Sequence, residues 1–330
     1  MYQPQAYGVA LFLMIGSMIC WGSWANTMKF TRNWPFQLFY WDYVIGVLAT
    51  TVLWGVTLGS HGIVGMPFFE DIQQADSRHW LYAITGGAIF NVANLLLVAA
   101  IEIAGMATAF PIGIGLALVV GVVLNYILSP KGDLLLLIPG VVLVVAAILL
   151  DARAYKLRES EQSQTSRKGI TISIACGILM GLFYPFLAKA TVGGRSLGPY
   201  AVAFVFSIGA ALSALVMNTI LMARPITGVQ PIRFSGYLSA RPSWHLMGLL
   251  GGAIWCTGLV FNFIASHAQM VGPAVSYAIG QGATMVSAIW GVYVWREFSS
   301  APQRAKRILP YMFLCFAAGL GMIAVAPLFR

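Results

Sequence analysis

Charge is what this sequence has least of: only 9% of its 330 residues are Asp, Glu, Lys or Arg, against roughly a quarter in an ordinary soluble domain. With 59% hydrophobic residues, so few charges cannot cover a hydrated globule, and most of the surface must face lipid. Cysteine is scarce as well. Cys20, Cys176, Cys256 and Cys315 all fall in apolar stretches, so the pattern reads as free thiols packed among helices and not as disulfides or a metal site. Basic residues are absent before the first apolar stretch, which runs from Tyr7 to Lys29 and exceeds a signal peptide's core; it reads as a retained first helix. HExxH, GxSxG and Cys/His clusters are missing too, which speaks against an enzyme and against any metal or cofactor.

What the chain does have is apolar stretches of membrane-spanning length. A helix needs about 20 apolar residues to cross a bilayer core. The pattern predicts an all-α, polytopic protein with spans near 7–29, 36–59, 79–100, 106–128, 133–152, 169–190, 197–223, 243–265, 272–294 and 306–327, ten in all. The polar run from Arg153 to Lys168 reads as a cytoplasmic linker between residues 1–152 and 169–330. The net charge of +9 does not indicate nucleic acid, because its lysines and arginines are scattered over short connections. The connections on the linker's side carry 14 of them and the opposite side 5, which by the positive-inside rule places both termini outside.

The two halves echo each other. Trp80-Leu-Tyr-Ala-Ile-Thr-Gly-Gly-Ala-Ile-Phe90 opens the third span and Trp244-His-Leu-Met-Gly-Leu-Leu-Gly-Gly-Ala-Ile-Trp255 the eighth, about 165 residues later. Five spans per half is an odd number, so the repeats are inverted relative to each other, an arrangement that can expose one central site alternately to either side.

The order of short motifs also resembles a known group. Trp21-Gly-Ser-Trp-Ala-Asn-Thr-Met-Lys29, Asp42-Tyr43, Leu124-Asn-Tyr-Ile127 and Ala288-Ile-Trp-Gly-Val-Tyr-Val-Trp-Arg-Glu-Phe298 resemble the drug/metabolite transporter superfamily, in its glucose/ribose porter and ureide permease branch. The resemblance implies two inverted five-helix repeats and transport of sugars, ureides, nucleobase-like compounds or nucleosides, commonly with protons. Ureide permeases usually carry a longer central loop with a phosphate-loop-like element. No G-x-x-x-x-G-K-S/T occurs here, which puts sugar uptake ahead of allantoin, with a metabolite or drug exporter as the further alternative.

Ionisable residues inside a bilayer are costly and tend to be functional. None lies near the middle of a predicted span, which favours a small neutral polar cargo. Asn91 falls about 17 Å along its helix from Trp80, near the midplane, with Asn94 one turn on. Their amides can meet hydroxyl or ureide groups, or serve as hydrogen-bonding glue between helices. Trp255 offers a face for a sugar ring, or simple packing. Tyr277 and Gln281 share a helix face at i, i+4 and pair by repeat with the proline-glycine stretch Pro111 to Gly115. Trp24, Asn26 and Tyr184 complete the substrate-binding candidates, with interfacial anchoring as the alternative for Trp24. Asp42, beside Tyr43, and Glu102, in a turn, are the proton-coupling candidates, against a plain helix-end or solvated carboxylate. Arg296 and Glu297 are expected to neutralise each other. The implied partners are a small-molecule substrate, the lipid bilayer and protons.

Overall fold

In a bilayer every backbone N–H and C=O must be satisfied internally, so apolar stretches of this length fold as helices. The computed structural model describes residues 1–32, 34–62, 64–158, 166–226, 230–268 and 270–329, and among them no strand occurs. The helices are α1 (Tyr7–Ser23, continued by a 3-10 segment over Trp24–Thr31), α2 (Phe36–Val56), α3 (Phe68–Gln74), α4 (Ser77–Ala104), α5 (Met106–Leu128) and α6 (Leu134–Arg158). They continue with α7 (Arg167–Ala190), α8 (Pro199–Ala223), α9 (Ser235–Leu238), α10 (Pro242–His267), α11 (Pro273–Gly280), α12 (Ala283–Ile289) and α13 (Gln303–Val325). Proline opens α8, α10 and α11, where its missing N–H leaves no extra unpaired donor.

Nine of these helices, among the described residues, are long and apolar enough to span a membrane. The segment expected as a continuous ninth span, 272–294, is instead broken. Gly280 and Gly282 flank Gln281, two poor helix formers in one turn, and α11 stops there. A five-residue π turn at Trp290–Val294 ends the segment. Two smaller expectations also change: Glu102 sits in the last turn of α4 and not in a connecting turn, and 153–158 prolong α6. At its other end Arg167 and Lys168 open α7, and residues 159–165 of the expected linker lie outside the described residues.

Close glycine contacts decide the packing. A Cβ on Gly87 of α4 would collide with the Phe206 carbonyl of α8, and one on Gly209 of α8 with the Ile84 carbonyl of α4. On the other side, Gly252 of α10 meets the Tyr43 carbonyl of α2, and Gly46 of α2 meets the Leu249 carbonyl of α10. Small residues let helix backbones approach where lipid supplies no hydrophobic drive for association. One body is therefore α1, α2 and α10, with α11 and α12 along α1; the other is α4, α5, α7 and α8. The pair α6 and α13 packs to one side against α5 and α11.

Both chain ends lie at one end of the bundle. The Tyr7 hydroxyl donates to the Ala324 carbonyl, and the Asp133 N–H donates to the Ala326 carbonyl at 2.9 Å. This end also gathers Met1 onto Val64 at 2.9 Å and Gly198 onto Asp71 at 2.9 Å. The opposite end carries the ends of α6 and α7 that flank the linker.

Candidate functional site

The middle of the bundle is a packed aromatic cluster. Trp255, only 6% exposed, has its ring centroid 4.4 Å from Phe90, and it stacks on Phe206 and Trp21 at 6.1 Å each. Tyr43 lies at 6.2 Å from Trp255 and 4.9 Å from Trp24. Trp255 and Phe90 occupy matching places in the two sequence echoes, so their contact crosses the boundary between the bodies.

Two polar clusters lie on either side of this cluster. Toward the linker end, the Tyr40 hydroxyl donates to Asn91 Oδ1 at 2.8 Å and accepts from Asn94 Nδ2 at 3.3 Å; Asn91 Nδ2 donates to Ser213 at 3.0 Å. Toward the termini end, the Tyr184 hydroxyl donates to Asn262 Oδ1 at 2.6 Å. Asn262 Nδ2 donates to the Ser276 carbonyl at 2.9 Å and to Ser17 Oγ at 3.3 Å. Tyr277 spans to the other body, donating toward the carbonyls of Met180 at 3.1 Å and Ala117 at 3.3 Å. Each cluster joins one body to the other with a Tyr hydroxyl and an Asn amide.

A cavity of about 240 Å³ sits above Tyr184 at the termini end, lined among others by Lys131, Lys189, Phe263, Ser266 and His267. At about 30 Å³ per water it has room for on the order of eight waters, below the ~300 Å³ at which drug-sized ligand pockets begin. His267 Nδ1 lies 2.7 Å from the Phe263 carbonyl, which fixes a proton on Nδ1, and Nε2 is buried with no hydrogen-bond partner among the described residues.

Of the eight substrate-binding candidates, only Tyr184 lines this cavity. Asn91, Asn94, Trp255 and Tyr277 are buried in the closed centre. Gln281 caps the broken end of α11, and its side-chain amide makes no hydrogen bond among the described residues. Trp24 packs on Tyr43, and its carbonyl accepts from the Thr27 hydroxyl at 2.8 Å. Asn26 stands apart, accepting from Trp295 Nε1 at 2.6 Å near the linker end.

Asp42 is 3% exposed, and both its oxygens are engaged: Oδ2 faces His245 Nδ1 at 2.7 Å and Oδ1 accepts from the Tyr237 hydroxyl at 2.6 Å. Burial, with the Asp42 bond and charge adding to it, pushes the Tyr237 hydroxyl up to about 12, so it stays a donor across the physiological range. Trp34 closes over this set, 5.3 Å from His245 and 6.2 Å from Tyr237. Glu102 is exposed and beside a small crevice lined by Phe36, Gln37 and Leu95.

Glu297 does not pair with its neighbour Arg296, whose backbone adopts φ 52° and whose side chain is exposed. It takes Lys29 Nζ at 2.7 Å, Arg158 Nη1 at 3.2 Å and the Tyr155 hydroxyl at 2.9 Å. Burial alone would raise the Glu297 carboxyl, but these partners outweigh it and hold it below the usual carboxylate range.

Tyr40, Asn262, His245 and Tyr237 were not singled out in the sequence. Asn262 was open to detection, an amide deep in an apolar span, and His245 lies next to Trp244 in the repeat motif. Tyr40 and Tyr237 carry no such signal, since nothing local says that a tyrosine will meet an amide on another helix.

Apolar helices in two interlocked bodies, a broken segment between them and polar groups bridging their boundary define a multi-pass membrane transporter. The chain belongs to the sugar transport protein family, whose sequence model matches residues 42–324. Ureide permease 1 of Arabidopsis thaliana is 24% identical with 98% of each chain covered, and Ureide permease 4 of the same plant is likewise 24% identical over 98% of each. A solved structure described only as a crystal structure of protein matches with a TM-score of 0.61 and 17% identity over 95% of each chain, and shares the fold. Family membership makes the protein a transporter and not an enzyme.

Proposed function

We propose that this transporter carries a small neutral polar metabolite, a monosaccharide of the glucose, ribose or rhamnose type, by alternating access between two inverted repeats, residues 1–152 and 169–330. The observation that carries this reading is the pair of Tyr–Asn bridges on either side of the Trp255 cluster. Amides and hydroxyls that hold the bodies together in this closed form become free when the bodies part, and they are the groups that a polyol can satisfy. Trp255 then offers a ring face, and Gln281, at the break in α11, a free amide.

The broken segment serves as the tenth crossing. Nine crossings would leave the termini at opposite ends, whereas Tyr7 touches Ala324. That end faces outward, since the other carries 14 of the 19 lysines and arginines. Transport is coupled to protons through Asp42, whose imidazole partner His245 gives a proton two adjoining sites, with Glu102 the weaker alternative.

The ureide permease relatives favour a second reading, an allantoin-like ureide, because they cover nearly the whole chain. Uptake of labelled glucose, ribose, rhamnose and allantoin into proteoliposomes, with and without a proton gradient, separates the two. Accumulation of a sugar supports the first reading, allantoin alone replaces it with the second, and accumulation of none overturns both. Asn91→Ala and Gln281→Ala are expected to abolish uptake with membrane expression intact.

A further inference from the structure

Three groups on one face of α6 converge on the segment that follows the π turn. Asp151, Tyr155 and Arg158 are spaced four and three apart, so they share a helix face. Tyr155 and Arg158 both reach Glu297, and Phe298 packs on the Tyr155 ring at 5.1 Å. Lys29 anchors Glu297 from the first body and lies 4.4 Å over the Trp295 ring. Asp151 completes this face, 9% exposed, and its Oδ1 is buried with no hydrogen-bond partner among the described residues.

Among the described residues, no cation of the cluster is paired with Asp151. Lys29 and Arg158 are directed to Glu297, and Arg153, Lys156 and Arg296 are exposed. From α13, Lys306 donates to the Ser299 carbonyl at 2.7 Å, while Arg304 and Arg307 are exposed. The first turns of α5 bring no ionisable side chain. Among the described residues, the charge that bears on Asp151 is the carboxylate of Glu297. An ionised carboxylate buried with an unpartnered oxygen beside a like charge is among the costliest arrangements in a protein interior. A neutral carboxyl at the same place is far cheaper.

We propose that Asp151 is a proton-binding site, filled while the segment Trp290–Phe298 is docked against α6 and emptied when that segment moves away and admits water. Docking brings Glu297 and the Phe298 ring onto Tyr155 on this face of α6; undocking removes both and leaves the face open to water. The site lies apart from the Asp42–His245 pair and binds its proton whichever substrate is carried. Its role in transport rests on the alternating-access reading, but its existence does not.

Infrared difference spectroscopy of the full-length protein in lipid bilayers, stepped between about pH 5 and about pH 9, reads the protonated-carboxyl C=O band directly. The wild type is expected to show a band that is present at the lower pH and lost at the higher. Asp151→Asn removes it, whereas Asp42→Asn and Glu102→Gln retain it. Should Asp151→Asn fail to fold, two other variants carry the test. Glu297→Gln lowers the midpoint by about one unit or more, as loss of an anionic neighbour requires. Gly291→Leu, whose Cβ would fall 2.8 Å from the Tyr155 hydroxyl and 3.2 Å from Glu297, pushes the segment off and lowers it as well. The proposal is overturned if the band survives Asp151→Asn, if neither Glu297→Gln nor Gly291→Leu moves its midpoint, or if Na⁺ abolishes the band at constant pH.

Discussion

Tyr184 of α7 and Asn262 of α10 are joined by a 2.6 Å hydrogen bond that crosses from one helix body to the other, directly beneath the cavity at the termini end. Asn262 is also tied to Ser276 of α11 and Ser17 of α1. A single amide thus connects α1, α7, α10 and the first half of the broken segment, and the Tyr184 bond is the one of its contacts that separates if the bodies part.

Tyr184→Phe therefore removes a closure contact while leaving the ring in place. A side-chain hydrogen bond between membrane helices averages ~0.6 kcal/mol, or about a threefold shift in populations. The rate at which a thiol reagent labels Ser266→Cys, on the cavity wall, is expected to rise by about that factor in the Tyr184→Phe background. An unchanged rate would mean that the bond does not hold the bodies together.

The glycine crossings make a separate prediction about stability. Gly252→Ala places a methyl against the Tyr43 carbonyl, with backbone on both sides and no flexible group to yield. Overpacking of this kind costs about 1–3 kcal/mol. Gly115, with nothing within 4 Å of an added Cβ, is the control. Thermal unfolding in detergent should show Gly252→Ala destabilised and Gly115→Ala within error of the wild type.

His245→Ala leaves Asp42 buried with Tyr237 as its remaining partner. Loss of one member of a buried charged pair is strongly destabilising, about 3–5 kcal/mol for fully buried examples and less here, where the imidazole is 26% exposed. Gradient-driven uptake is expected to fall at least tenfold. His245→Gln, which keeps a donor, is expected to recover the folded protein but not gradient-driven uptake. Wild-type gradient-driven uptake in His245→Gln would remove this pair from the coupling mechanism.

For Glu297 the direction of its shift sets the pH window. Its carboxyl lies below the ordinary glutamate value of about 4.3, so the folded form binds protons less readily than the unfolded chain. Its contribution is present above that ordinary value and is lost as pH falls through the lowered one. Acid loosening measured by thermal unfolding is thus expected only below about pH 4, and Glu297→Gln flattens that part of the profile.

Much of the fold was readable from local pattern. Length and apolarity of a span are properties of consecutive residues, and nine spans follow from them within a few positions. The Gly86-Gly87 and Gly251-Gly252 motifs announced the echo between halves, and in three dimensions these are the residues at which helices touch. The break in the ninth expected span was harder to see, because glycine also occurs in continuous membrane helices, packed against neighbours. Proximity in sequence misled at Glu297, where Arg296 was the obvious partner. A positive φ at Arg296 turns that side chain outward, and Lys29, 268 residues away, takes the pair instead.

What the sequence determined by itself is the solvent of this protein and the class of structure that survives there: few charges and long apolar runs leave a bilayer as the only favourable medium and helices as the only satisfied backbone. Which polar groups meet was decided by tertiary structure alone. A lone Tyr or Asn in an apolar helix gains nothing from its own segment, whose backbone is already paired; its partner is selected by how closely glycine faces let two helices approach. Hence Asn91 was visible as a polar midplane residue, but that it bonds to Tyr40, that Asn262 gathers four helices, and that Asp151 Oδ1 is buried with no hydrogen-bond partner among the described residues emerged only once the helices were packed.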